Sequence, residues 1–187
     1  MSNQQLYVVT YTGPFGFIKP WTAVRDERTF SQQFLTPSII EGLRIRLSVS
    51  AILRHKLTYA KIDSQQERTQ SRAFVETKKS ATREQSILIR GIMLYPKLTL
   101  AFATELEAAR AAEEHICLCR NEDILLPDGQ VTPMSESDFD SLVGFELLFQ
   151  RDPTAILVGY NRYHNNEPMY GVLKITGNPV GVEPFES

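Results

Sequence analysis

Apolar residues along this chain fall mostly into short, strand-length runs and recur at helical spacing in only a few places. Leu6-Tyr7-Val8-Val9-Thr10-Tyr11-Thr12 is β-branched and aromatic and stops at Gly13-Pro14, which predicts a first strand. An irregular segment follows, carrying Pro14, Pro20 and the rings of Phe15, Phe17 and Trp21. Ile39, Ile40, Leu43 and Leu47 then recur at helical spacing. Thr36 is placed to cap that helix and Pro37 to open it, because proline lacks an N–H that the first turn could not pair anyway. Ser38 and Glu41 also fit a capping box two residues on. Gly42 lies inside the helix, which predicts close approach of a strand or a ligand there.

Partial alternation of Val49, Ala51, Leu53, Leu57 and Tyr59 predicts a strand over 48–62. Residues 63–85 are polar and read as a projecting hairpin or a mobile loop. Two strands, 86–94 and 97–103, join around Tyr95-Pro96. Thr104-Glu105-Leu106-Glu107 is a capping box that opens an alanine-rich helix running to Ile116. A short capped helix at 135–141 precedes strands at 142–149, 155–160 and 170–176. The order is that of an α+β, ferredoxin-like βαββαβ domain with additional C-terminal antiparallel strands over about 142–187, the whole chain forming one domain.

Length and composition, 187 residues with 42% hydrophobic and 22% charged, fit one ordinary globular domain with a real core. No run is long and apolar enough to cross a bilayer, and the N-terminus lacks a signal-peptide pattern, so a cytoplasmic protein with no membrane partner is expected. Cys117 and Cys119 are too close in sequence for a comfortable disulfide and are read as reduced thiols. The net charge of −2 hides an asymmetry. Residues 1–97 hold fifteen of the twenty Lys and Arg and carry +8, whereas the remainder carries −10. Either the basic half faces a polyanion, or the halves interleave and neutralise each other.

Rings interleaved with cations are what single-stranded nucleic acid requires, since bases stack on rings while phosphates meet cations. Phe15, Phe17 and Trp21 are the candidate rings, with core-edge cover as the alternative role. Lys19, Arg25, Arg28, Arg44, Arg46, Arg54, His55 and Lys56 are candidate phosphate contacts, and Arg68, Arg72, Lys78, Lys79 and Arg83 are the cations of the polar excursion. His55, Lys56 and Tyr59 could instead serve a metal-independent ribonuclease as general base and phosphate cation. His115-Ile116-Cys117-Leu118-Cys119 offers three metal-capable side chains, fewer than the four a structural zinc needs, so buried thiols are expected and no metal or other cofactor. No P-loop, dinucleotide fingerprint, Gly-x-Ser-x-Gly or His-Glu-x-x-His is present.

The stretch Gly13-Pro14-Phe15-Gly16-Phe17-Ile18-Lys19-Pro20, then Ser31 to Phe34, then Thr36-Pro37-Ser38-Ile39-Ile40-Glu41-Gly42-Leu43 resembles the CRISPR-associated RAMP superfamily, and within it the Cas-five subunits. Gln66-Glu67-Arg68-Thr69-Gln70-Ser71 and the strand 87–94 resemble the family's middle region. The resemblance covers roughly the first hundred residues. It implies a thumb hairpin over about 62–86 and a non-catalytic RNA-binding subunit. That subunit would hold the 5′ handle of a crRNA and cap the backbone of a class 1 surveillance complex. Its partners would be the backbone and large Cas subunits, with target DNA met only through the complex. One branch of the family also cleaves precursor RNA, using a Tyr after the first helix and a Lys-His pair. Neither carries over: residues 43–50 contain no tyrosine, and His115 follows Glu113-Glu114.

Overall fold

The computed structural model describes residues 5–21, 28–69, 74–77, 80–83, 86–161 and 165–181. The first half of the chain forms β1 (Gln5–Thr12), β2 (Phe15–Gly16), β3 (Arg28–Phe30), α1 (Pro37–Leu47), β4 (Arg54–Thr58), β5 (Lys61–Thr69), β6 (Phe74–Thr77), β7 (Ser80–Arg83) and β8 (Ser86–Leu94). The second half forms β9 (Lys97–Phe102), α2 (Glu105–Ala111), β10 (Ile116–Cys117), β11 (Ile124–Pro127), β12 (Thr132–Ser135), α3 (Glu136–Ser141), β13 (Gly144–Leu148), β14 (Ile156–Asn161) and β15 (Glu167–Thr176). The architecture is α+β, with a mostly antiparallel sheet and few helices.

One row of side chains, Tyr11, Leu98, Leu57 and Phe145, crosses four neighbouring strands and is almost wholly shielded from water. It belongs to a sheet ordered β10-β11-β1-β9-β4-β13-β15-β14, with β12 pairing β1 at Gln5–Val8. Alternation along β1 and β9 splits their side chains between two faces. Val9, Tyr11, Leu98, Leu100 and Phe102 point to the face covered by Ile40, Leu43 and Leu47 of α1 and Ala108 and Ala111 of α2. The Tyr11 hydroxyl donates to the Ala111 carbonyl at 2.6 Å, so this buried polar tip is satisfied. Leu6, Val8 and Ala101 point the other way, against Phe139 of α3. Phe139 and Phe145, in the acidic half of the chain, are both core residues.

The second sheet is built around β8, with β5 along one edge and β2 and the parallel β3 along the other. The chain crosses between sheets at Tyr95, whose φ of 50° makes the turn that Pro96 then fixes. The expected strand over 48–62 is interrupted. Ser48, left-handed at φ 55°, ends α1, regular pairing starts at Arg54, and the chain turns into β5 after Tyr59. The polar stretch after 62 forms a strand because its backbone pairs with β8 from Lys61↔Leu94 to Thr69↔Ser86, leaving little for its side chains to bury. Of the two readings of 63–85, hairpin strands are what the described residues show, with β6 and β7 pairing beyond.

The second helix stops at Ala111 rather than Ile116, because Glu113-Glu114-His115 offers no apolar face and Ile116 pairs with Leu125 in β10. Its capping box is half made. Thr104 Oγ1 accepts from the Glu107 N–H at 3.3 Å, while the Glu107 carboxylate accepts from the Ser50 N–H at 2.6 Å.

The strand that could have approached Gly42 is not found among the described residues: a Cβ built on this glycine meets nothing within 4 Å. Gly42→Ala should therefore raise stability by about 0.5–1 kcal/mol, read as a higher midpoint of urea unfolding at unchanged slope. A lower midpoint would mean that the backbone there is covered after all.

Candidate nucleic-acid interface

Most of the described cations singled out in the first half are engaged inside the protein. Arg54 projects from β4 beneath α3 and binds Glu146 of β13 through Nε and, at 2.8 Å, through Nη2, with Asp140 Oδ1 also 2.8 Å from Nη2. Glu146 is buried, and its hydrogen bonds with Arg54 push the guanidinium pKa above its ordinary range. Lys56, on the same face and 2% exposed, donates to Thr176 Oγ1 at 2.9 Å and lies 3.7 Å from Glu146 Oε2; burial lowers its pKa. Arg46 pairs with Glu114 at 2.9 Å. Arg44 forms a fork on Glu41 of its own helix, both bonds 2.8 Å, and also donates to the Val49 carbonyl at 3.1 Å. For Arg46, Arg54 and Lys56 the trailing-half carboxylates supply the counter-charge, so at these residues the halves interleave.

His55 is corrected as either a phosphate contact or a general base. It is 2% exposed, and its Nε2 accepts the Leu147 N–H at 3.3 Å. That bond stands in for a ladder bond, since β4 and β13 pair directly only at Leu57↔Phe145. Burial, with smaller contributions from Arg54 and Lys56, pulls its pKa down to about 4 against the opposing pull of Glu146. Tyr59 is buried too, its oxygen accepting from Gln33 Nε2 at 2.6 Å and its pKa raised by burial. His55 and Tyr59 face the core while Lys56 faces the opposite side of the sheet, so the three do not converge on a substrate.

The rings separate as well. Phe17 is 2% exposed, with the Arg90 and Arg120 guanidiniums 5.3 and 5.4 Å from its centroid. Those two arginines are held by Glu67 at 2.9 Å and by buried Asp123 at 2.6 Å, so Phe17 is a joint between the sheets rather than a base platform. Phe15 is half-buried in β2 opposite Leu94. Trp21, in contrast, is 44% exposed and meets the 49% exposed Tyr160 edge-on, centroids 5.8 Å apart and planes at 78°. The pair stands at a cavity of about 540 Å³ lined also by Lys19, Thr36, Ser38, Asn166 and Met169.

That cavity lies at the start of α1. Thr36 makes no side-chain capping bond, Pro37 has no N–H, and the Ile39 and Ile40 N–H groups both donate to the Thr36 carbonyl, so of the first turn's donors the Ser38 N–H is left, at the positive end of the helix dipole. Lys19 is exposed beside it. Elsewhere, exposed Arg28 and Arg68 flank one end of β8, paired opposite Ile89 and Ile87, and Arg28 lies 5.0 Å from the exposed ring of Phe30. Arg25, Arg72, Lys78 and Lys79 lie outside the described residues, as does the side chain of Arg83. Tyr160 was missed by sequence reasoning. Tyr160 follows the alternation Ile156, Val158, Tyr160 of an ordinary strand, and nothing local signals that β14 lies beside Trp21.

Cys117 and Cys119 are free thiols, partly and well exposed rather than buried as expected. Among the described residues no group of three or more His, Cys, Asp or Glu could hold a metal ion. No described helix is long and apolar enough to cross a membrane.

No protein-family model and no curated protein sequence matches the chain. Among solved structures the fold is similar to that of a chain described as "CRISPR RNA-guided surveillance complex", with a TM-score of 0.54 at 10% identity. The match covers 97% of this chain and 95% of that one, so it embraces both sheets and the C-terminal strands.

Proposed function

We propose that this chain is a non-catalytic RNA-binding subunit of a CRISPR-type class 1 surveillance complex, a Cas-five-like protein that holds the 5′ handle of the crRNA. On this reading the pairing order β11/β12, β1, β9, β4, with α1 and α2 on one face, is a ferredoxin-like core. The β5–β8 hairpin is the thumb, and residues from about 142 onward are an extension of a single domain. The partners are the backbone and large Cas subunits, target DNA is reached only through the complex, and the protein works in the cytoplasm.

The observation that carries the proposal is the cleft of Lys19, Trp21 and Tyr160 at the start of α1. It combines what a single-stranded end needs: exposed rings for a base, and an ammonium beside the positive end of a helix for a phosphate. The fold shared over nearly the whole of both chains supports it. An exposed Trp–Tyr pair also suits a protein-interaction module that binds no nucleic acid, and the salt dependence below separates the two. The ribonuclease reading loses its residues with the burial of His55 and Tyr59.

Salt tests it. With Arg44, Arg46, Arg54 and Lys56 engaged, Lys19, Arg28 and Arg68 are the cations left among those named whose side chains are described. Three phosphate contacts to a single strand give a slope of about −2 in log K against log salt. Anisotropy of a labelled single-stranded RNA should show at least that slope, and residues 70–73, 78–79 and the side chain of Arg83 would steepen it. Binding that ignores salt, or no binding at low salt, would overturn the assignment.

A further inference from the structure

Among the described residues, the side of the central sheet away from α1 and α2 is only partly covered. The third helix closes it over Leu6, Val8 and Ala101. Towards the other end of the strands, register places two polar rows across β1, β9 and β4: Thr10, Thr99, Lys56 and, next to it, Thr12, Lys97, Thr58. Thr10, Thr99, Lys56, Lys97 and Thr58 of these rows floor a cavity of about 390 Å³, with Met134, Leu142 and Val143 as apolar walls and Asn178 also lining it. A volume of that size suits a small ligand.

Two features make this more than an uncovered surface. Thr58 is 7% exposed, and its Oγ1 is the one described buried side-chain oxygen or nitrogen with no hydrogen-bond partner. A hydroxyl withdrawn from water and left unpaired costs stability, and Thr58 lines this cavity. The second feature is charge. Arg54, Lys56 and Lys174 share the two carboxylates Glu146 and Asp140, so the network keeps one positive charge in excess. Exposed Lys97, which makes no ion pair among the described residues, adds another.

We propose that this cavity is a second ligand site, taking a phosphate monoester of mononucleotide size. The dianion lies between Lys97 and the hydroxyls of Thr58 and Thr99, over the positive charge that the Lys56 network keeps in excess, and the organic part lies against Met134, Leu142 and Val143. Two positive charges and hydroxyl donors match a phosphate's two charges and its three acceptor oxygens. The site is on a different face from the Trp21 cleft and does not depend on the function proposed for it.

Calorimetric titration of the intact protein with adenosine 5′-monophosphate, and separately with adenosine, tests the proposal. The monophosphate should bind, adenosine should bind at least about tenfold more weakly, and inorganic phosphate should displace the monophosphate. Thr58→Val keeps shape while removing the unpaired hydroxyl, so it should fold as well as the parent and weaken the monophosphate about tenfold. Lys97→Gln should weaken it too, and both comparisons are made in the Trp21→Ala background so that a nucleotide stacked in the other cleft does not contribute. No binding at about 10 mM monophosphate, equal affinity for adenosine, or indifference to both Thr58→Val and Lys97→Gln would overturn the assignment. Lys56 is not the residue to replace, because its loss leaves Glu146 short of a partner and confounds binding with folding.

Discussion

Lowering the pH from about 7 to about 4 should cost the folded protein about 3 kcal/mol through His55 alone, read as a falling midpoint of urea unfolding. The folded-state pKa of this imidazole is pulled down to about 4, whereas in the unfolded chain it returns to about 6.5. Between those values the unfolded chain binds the proton and the folded protein does not, so stability rises with pH across the window and levels off below it. The groups around the ring set the depth of the effect: burial dominates, Arg54 and Lys56 work with it, and Glu146 works against it. Asp140, held down to about 2 by Arg54 and Lys174, contributes stability that is lost only as pH falls from about 4 towards 2, below the histidine's window.

Two substitutions separate titration from the hydrogen bond. His55→Gln keeps an acceptor for the Leu147 N–H and removes the titration, so its stability should be nearly flat from about pH 7 to 4. His55→Leu leaves that buried N–H unpaired and should cost about 1–3 kcal/mol at neutral pH. A parent protein whose stability does not change between about pH 6.5 and 4.5 would show that the imidazole is not a buried neutral acceptor.

Alternation already contained part of this outcome. In a strand, successive side chains point to opposite faces, so Arg54, His55 and Lys56 cannot make one cationic contact; with Leu57 in the core, His55 shares the core face and Arg54 and Lys56 share the other. The first helix was legible because Thr36-Pro37 and Ile40, Leu43 and Leu47 specify its start and buried face within a dozen residues. The partners of Arg54 were not. Asp140 and Glu146 are 86 and 92 residues away, and neither lies in a local pattern that points back to β4. A basic run therefore reads the same whether it will meet solvent, a polyanion or the protein's own carboxylates. Short strands were missed for a related reason. Ile116–Cys117 and Thr132–Ser135 are strands only because β11 and β1 present an edge to pair with, which no local propensity records. Pro133 is tolerated there, opposite Tyr7, in a short strand that pairs only with β1.

Replacing Trp21 by alanine should weaken single-stranded RNA binding roughly tenfold to hundredfold while leaving the unfolding midpoint almost unchanged. The two halves of that expectation follow from exposure. At 44% exposed, Trp21 contributes little to the core, yet a base laid on its free face would bury ring and base together. Tyr160→Ala should act in the same direction. The double variant should lose less than the two single losses combined, because the rings support one another edge-on and form one platform rather than two. Lys19→Ala should flatten the salt slope by about 0.7, the share of one phosphate. Phe17→Leu should do the reverse of Trp21→Ala, lowering the midpoint through lost packing against Arg90 and Arg120 without a direct effect on RNA. An affinity that survives Trp21→Ala but falls with Phe17→Leu would put the RNA somewhere other than the cleft, because the exposed ring would then be idle and the buried one would matter only through the fold.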